Sequence, residues 1–388
     1  MPLNETIDKL ADFQPTDLPV ISLYLNTQAD QHGRDNFDSF VRKEFKAKSR
    51  TFPVRSPARL SFDKDSQRIN AYLETLRPSA NGVAIFACAG AGDFFEAIEL
   101  DAPIDNHGLY VYHQPHLYPL ARLSDQYPSY AALIADTNAA RIYVFGIGKK
   151  LREDVVQNQR WAQARYQRHI ESNYLGNRFA ARGGESRYQQ HVENDYLLHA
   201  KEVVDVLEKV VREEDIKQII LAGDEVILPL LREQFSPLLR DKVIDILRLD
   251  IRTPEHEVAK QTLEALRAYD AKTDIEHVER LMDEYRSGGL AVVGVHDTLA
   301  ALSAGQVDEL YLSARLEDIH AGAEEINKHL LPHLPEDLAT DNDATHEVKV
   351  ADELVTRARQ TGAGVTFIED AALLADIGGI GATLRYKV

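Results

Sequence analysis

Between Arg160 and His199 the chain concentrates side chains suited to binding a polyanion. Arg160, Arg165, Arg168, Arg178, Arg182 and Arg187 fall in a stretch whose only acids before Arg187 are Glu171 and Glu185. Guanidinium is planar, weakly hydrated and always charged, so it can grip phosphate oxygens in pairs. Gly183-Gly184 stands just before a strong helical pattern. Without Cβ atoms, that pair lets the backbone approach a ligand closely. Glu185 and Gln189 follow it, together with Gln190. Trp161, the single tryptophan, could stack on a base or simply pack locally.

A short phrase occurs twice here. Tyr166-Gln167-Arg168-His169-Ile170-Glu171 is echoed by Tyr188-Gln189-Gln190-His191-Val192-Glu193, as one local duplication would produce. His169 and His191 hold equivalent places, but no acid or cysteine stands at ligand spacing with both, so no metal site is expected. A second basic group, Lys43, Lys46, Lys48, Arg50, Arg55 and Arg59, reads either as a solvated helix end or as a phosphate-contacting patch.

Other chemistries lack their residues. A lone cysteine, Cys88, excludes an internal disulfide framework and a cysteine-rich zinc site, and reads as a small core residue. Gly146-Ile147-Gly148 lacks the rest of any nucleotide fingerprint. Asp136 ends a strand, but two-metal cleavage needs several convergent carboxylates and no partner acid presents itself. No cofactor is expected.

The 388 residues carry a formal charge of −18, which opposes indiscriminate coating of nucleic acid but leaves room for a local cationic site. Hydrophobic content of 44% and charged content of 27% suit a globular chain of two or three domains. No apolar run approaches the roughly 18 residues of a membrane span. Met1 to Glu5 lacks a signal peptide's basic and apolar regions. A soluble, cytoplasmic protein without membrane partners is the expectation.

The elements that must position the arginines follow from periodicity. Leu18–Leu25, Val83–Cys88, Phe94–Leu100 and Leu109–Tyr112 read as strands, with helices over Asp38–Phe45 and Gln67–Leu76. That is an α+β domain, 1–129. Tyr130–Asp136 and Ala140–Phe145 read as a hairpin, followed by a charged segment and an Arg/Gly-rich loop, 159–187. A long amphipathic helix starts from Tyr188. Strands at Ile219–Gly223 and Val243–Leu249 alternate with helices at Val226–Gln234 and Glu255–Ala268, giving an α/β domain, 130–272. The last domain, 273–388, reads as α/β. It has a helix over Glu276–Tyr285, an acidic insertion over Ile319–Ala344 and a glycine-rich approach to a final strand.

These residues carry a family resemblance. Gly378-Gly379-Ile380-Gly381-Ala382-Thr383-Leu384-Arg385-Tyr386 and Ala304-Gly305-Gln306-Val307-Asp308-Glu309-Leu310-Tyr311-Leu312 resemble the last domain of the archaeo-eukaryotic class-I peptide release factors and their relative Pelota. Ile220-Leu221-Ala222-Gly223 is similar to the family's core strand after its long helix. Arg182-Gly183-Gly184-Glu185-Ser186 stands where the family carries Arg-Gly-Gly-Gln-Ser. Val20-Ile21-Ser22-Leu23-Tyr24 and Asn81-Gly82-Val83-Ala84-Ile85 match the first domain. The five matches run in order through nearly the whole chain and look most like the bacterial, Balon-like branch.

The resemblance implies three domains, the middle one RNase H-like. It implies contacts with ribosomal RNA at the decoding centre and the peptidyl-transferase centre, and a translational GTPase such as EF-Tu as partner. A monomer suits such a ligand of the A site. The RNA-binding residues would be Arg160, Arg165, Arg168, Arg178, Arg182, Gly183, Gly184, Arg187, Lys46, Lys48 and Arg50.

Three departures bear on activity. Stop-codon readers carry Asn-Ile-Lys-Ser, where this chain has Lys46-Ala47-Lys48-Ser49. They carry Tyr-x-Cys-x-x-x-Phe, where it has Tyr110 to His116, with Tyr112 for cysteine and His116 for phenylalanine. Glu185 replaces the glutamine that positions water. The reading is an A-site binding factor of hibernation or stress that does not read stop codons. The alternatives are a codon-independent peptidyl-tRNA hydrolase, with Gly183, Gly184, Glu185 and Gln189 as its catalytic candidates, and a protein–protein adaptor that kept the fold.

Overall fold

The computed structural model describes residues 3–28, 37–76, 81–100, 102, 104, 106–146, 149–158, 184–319 and 346–387. They form two compact units, residues 1–127 with 271–388, and residues 128–270.

The first unit opens with α1 (Leu3–Ala11), β1 (Val20–Asn26), α2 (Phe37–Ser49), α3 (Pro57–Leu73), β2 (Gly82–Cys88), β3 (Phe94–Leu100), β4 (Gly108–Tyr112) and α4 (Tyr118–Gln126). The strands make an antiparallel sheet in the order β3-β2-β1-β4. Strand side chains alternate between faces. Ile21, Leu23, Leu25, Val83, Ile85 and Ala87 therefore share one face and pack on Val41 and Phe45 of α2 and Phe62 and Ile69 of α3. Cys88 is buried at the end of β2.

Helix α3 starts well before the Gln67 expected from periodicity. Its buried face mixes Ser61, Asp65 and Ser66 with Phe62 and Ile69, which breaks the apolar stripe. The start is set instead by Ser56, whose Oγ accepts from the Arg59 N–H, and by Pro57 in the first turn.

The second unit contains β5 (Tyr130–Ala135), β6 (Ala139–Gly146), β7 (Lys149–Gln157), α5 (Gly184–Glu213), β8 (Gln218–Gly223), α6 (Ile227–Gln234), α7 (Pro237–Lys242), β9 (Val243–Leu247) and the first half of α8 (Glu255–Arg286). Its sheet order is β7-β6-β5-β8-β9. β6 is antiparallel to both neighbours, and β8 and β9 run parallel to β5. The central strand comes first in the chain and only the second strand is reversed, which is the RNase H-like arrangement. Alternation splits β5 between two cores. Ala131, Leu133 and Ala135 meet Val203, Leu207 and Val210 of α5. Tyr130, Ala132 and Ile134 meet Val258 and Leu266 of α8.

Two expectations change here. The charged segment after the hairpin is a strand, β7. Helix α8 is one element of 32 residues, not two. No glycine or proline interrupts Glu255–Arg286, so nothing in the backbone ends the helix between its two apolar stretches.

The chain returns to the first unit through β10 (Ala291–Val293), α9 (Val295–Ser303), β11 (Val307–Ser313), α10 (His346–Gln360), β12 (Gly364–Ile368) and β13 (Ile380–Leu384). The sheet order is β10-β13-β11-β12, with β11 and β12 parallel and β13 antiparallel to its neighbours. The acidic insertion lies outside the described residues except for Ile319. Among the described residues no helix is long and apolar enough to cross a membrane.

Acid is expected to weaken the first unit through His113. Burial, with Lys349 nearby, pulls that imidazole down to about 4. The unfolded chain takes up the same proton near 6.5. Between the two values the unfolded state holds more protons, so stability falls as the pH falls. About 2 to 3 kcal/mol should disappear from pH 6.5 to 4. Urea unfolding at several pH values should show this slope, and His113→Gln should flatten it.

Candidate nucleic-acid interface

Arg160, Arg165, Arg168, Arg178, Arg182 and Gly183 lie outside the described residues, as does the first copy of the repeated phrase. The ends of the chain that carry them are described. β7 delivers the chain to Asn158, and α5 takes it up from Gly184. Gly184, Glu185 and Arg187, expected in the loop, belong to this helix, and Gln189 follows in its second turn. The first N–H groups of an α-helix have no partner within it, and its dipole is positive at that end. Backbone donors therefore begin where the Gly-Gly pair ends.

β7 is an edge strand, and its charges clamp it on both faces. Arg152 pairs with Asp154 at 2.6 Å, Glu213 at 2.8 Å and Glu214 at 3.2 Å, tying the strand to the end of α5 and the turn after it. Lys150 pairs with Glu153 at 2.9 Å and with Glu255 of α8 at 2.6 Å. Arg141 pairs with Glu153 at 2.9 Å and donates to the Ile251 carbonyl at 3.2 Å. Networks of this kind hold an edge strand that lacks a continuous apolar face, and period-2 hydrophobicity could not reveal it.

Asn158 closes the root. Its N–H donates to the Asn138 carbonyl at 2.7 Å, and its Nδ2 donates to Thr137 O at 3.2 Å. The same β5–β6 turn is built by Asp136, whose Oδ1 accepts from the N–H groups of Asn138 and Ala139 at 2.7 and 2.8 Å. Asp136 is thus a turn-forming acid here. His199 of α5 is buried near this turn, and burial lowers its pKa, so the ring is neutral at pH 7. The sequence reading missed His199 and Asn158. His199 could have been found by continuing the apolar stripe of α5 from Tyr196 to Val203, while Asn158 carries no local signal.

The second basic group divides. Lys43, Lys46, Arg50 and Arg55 are exposed at the α2–α3 corner. Lys48 is only 4% exposed, so it is not part of an accessible cationic surface, contrary to expectation. It falls on the buried face of α2 in phase with Val41 and Phe45. Ser49 donates to Asp63 at 2.8 Å, bracing the corner. Val54 and Leu60 add exposed apolar surface beside it.

The stretch aligned with Tyr-x-Cys-x-x-x-Phe points inward. Tyr112 and His116 are 7% and 2% exposed, and the two rings that flank the motif, Tyr110 and His116, lie 4.0 Å apart.

Residues 115–267 match the family model described as bacterial archaeo-eukaryotic release factor family 10, and residues 271–388 match the one described as eRF1 domain 3. The chain belongs to the archaeo-eukaryotic release factor family. As a member of that family it is 30% identical over 200 residues to eukaryotic peptide chain release factor subunit 1 of Saccharomyces cerevisiae. That match takes in 45% of each protein, so it spans less than half of the curated relative's length. Solved structures similar to this family member include S. cerevisiae Dom34, a translation termination-like factor that interacts with Hbs1, at a TM-score of 0.42 and 11% identity over 79% of each chain. The archaeal termination factor aRF1 aligns at 0.27 and 16% identity over 99% of this chain and 97% of its own. A model of ribosome-bound archaeal Pelota and ABCE1 aligns at 0.39 and 13%, over 100% and 94%.

Proposed function

We propose that this protein is a translation factor that enters the ribosomal A site and occupies it without reading a stop codon, in hibernation or stress. The observation that carries the reading is the burial of Tyr112 and His116, which keeps the positions aligned with the cysteine and phenylalanine of Tyr-x-Cys-x-x-x-Phe away from solvent. The exposed Lys46 and Arg50 serve the decoding-centre end, and the arginines from Arg160 to Arg187 serve the peptidyl-transferase end. The working form is a cytoplasmic monomer, and a GTPase such as EF-Tu is the partner to test. Cosedimentation with 70S ribosomes at low salt is the primary experiment, and absence of binding there sinks the proposal.

Glu185 favours occupation over hydrolysis. An ionised carboxylate only accepts hydrogen bonds. At about 5 Å from an RNA phosphate, with an effective dielectric near 20, repulsion reaches roughly 3 kcal/mol. Glu185→Gln is therefore expected to tighten ribosome binding by at least about tenfold. Release of labelled peptide from ribosome complexes tests the alternative reading. Wild-type release above background that vanishes in Gly183→Ala would make the protein a peptidyl-tRNA hydrolase.

A further inference from the structure

A buried polar constellation in the first unit joins parts of the chain that are far apart in sequence. Asp352, in the middle of α10, and His116, just before α4, are each 2% exposed. His116 Nδ1–H donates to Asp352 Oδ2 at 2.5 Å across 236 residues of sequence. The N–H groups of Leu117 and Tyr118 donate to the other carboxylate oxygen at 2.9 and 3.1 Å. These are among the first N–H groups of α4, whose own N-cap residue, Leu117, offers no side-chain acceptor. An aspartate from another helix thus does the capping, at a position where a negative charge is favoured.

The segment His116–Tyr118 is gripped from both sides. From β1, Ser22 Oγ accepts the His116 N–H at 3.0 Å, and Tyr24 O–H donates to the His116 carbonyl at 2.5 Å. From the C-terminal sheet, the Ser313 carbonyl accepts Tyr118 O–H at 2.7 Å. Further along α4, Asp125 accepts the Phe367 N–H of edge strand β12 at 2.9 Å. Other polar contacts along this seam are less buried, among them Arg122 with Glu369 at 3.5 Å, Gln126 with Glu369 at 2.7 Å, Arg359 with Asp8 at 3.7 Å, and Gln360 Nε2 donating to the Ala11 carbonyl at 2.7 Å. Surface pairs hold weakly, whereas a buried carboxylate stripped of its donors is strongly unfavourable.

We propose that Asp352 is a latch. With its three donors in place it holds residues 1–127 on residues 271–388 as one body. When they are lost, the N-terminal α+β segment separates as an intact piece. Closed, the latch sets the span between the exposed α2–α3 corner and the C-terminal sheet, and partner binding would have to work against it to change that span.

The test uses the full chain, with Asp352→Ala, Asp352→Asn and an Arg122→Ala control. Asparagine keeps an oxygen for Leu117 and Tyr118 but loses the charge. Hydrogen exchange and small-angle scattering are the readouts. In Asp352→Ala the amides of α4 should exchange on the order of 100-fold faster. The radius of gyration should grow, while amides of β1, β2, β5 and β8 keep their protection. Asp352→Asn should give about a tenfold change at α4, and Arg122→Ala almost none. Unchanged α4 exchange and radius in both Asp352 variants overturns the latch. So does equal loss of protection across β1 and β2, which would make Asp352 an ordinary core residue. If Asp352→Ala does not fold, Asp352→Asn decides on the same criteria.

Discussion

Replacing Arg178, Arg182 and Arg187 together by glutamate is expected to weaken ribosome binding by on the order of 1,000-fold or more. A charge-assisted hydrogen bond contributes about 1.5 to 3 kcal/mol, so three lost contacts multiply to that size before any new repulsion is counted. The dependence on salt gives an independent check. Each phosphate contact adds about one to the slope of log affinity against log salt, so the triple variant should lose about three. An equal triple reversal at exposed positions of α8, such as Lys260, Arg267 and Lys272, should change neither quantity appreciably. If both variants bind equally, the arginine stretch is not the contact and the adaptor reading gains. The size of the effect rests on contrast. In a chain with a formal charge of −18, the proposed RNA contact would draw its main attraction from these cations, against the opposing charge elsewhere on the chain.

The second large effect is structural and falls at Gly223. This residue leaves β8 with φ +151°, and a Cβ there would lie 2.1 Å from the Ala135 carbonyl oxygen. Neither strand can yield easily. Ala135 is paired on both sides, to β6 and to β8, and Asp224 donates its N–H to the same carbonyl at 3.3 Å. Gly223→Ala should therefore cost about 3 kcal/mol or more and lower Tm of the second unit by about 10 °C. Gly92 is the comparison. Its φ is +62°, but no atom lies within 4 Å of a built Cβ. Gly92→Ala should cost only about 1 kcal/mol, from the left-handed backbone alone. Thermal unfolding of both variants measures the difference. The Gly223 variant carries a functional consequence as well, because Ala135 leads directly into the Asp136 turn to which Asn158 is tied. A shift there reaches the point from which the arginine stretch departs.

Local pattern carried much of this architecture. β1, β2, β5 and β8 alternate or run apolar between turn residues, and α5 and α10 have stripes that need no partner to be seen. Two elements escaped for opposite reasons. β7 is charged because it sits at a sheet edge and is held by ion pairs to α5 and α8, so its hydrophobicity has no period. The start of α3 was hidden because buried serines and an aspartate replace part of its apolar face. Lys48 was read as part of a cationic patch from charge alone, although its position on α2 turns it inward.

What the residue order determines about this protein is its cationic stretch with a Gly-Gly pair and a following glutamate, and the succession of strands and helices. These are properties of neighbours in the chain, and helical or strand periodicity expresses them directly. Tertiary structure alone decided that Tyr112 and His116 face a core, that His199 and Asn158 meet at one root, and that Asp352 caps a helix 234 residues away. Those facts depend on which segments the packing within each unit brings together. No spacing along the chain encodes a contact between residues that distant, because its free energy comes from burial and exists only once both sides are folded.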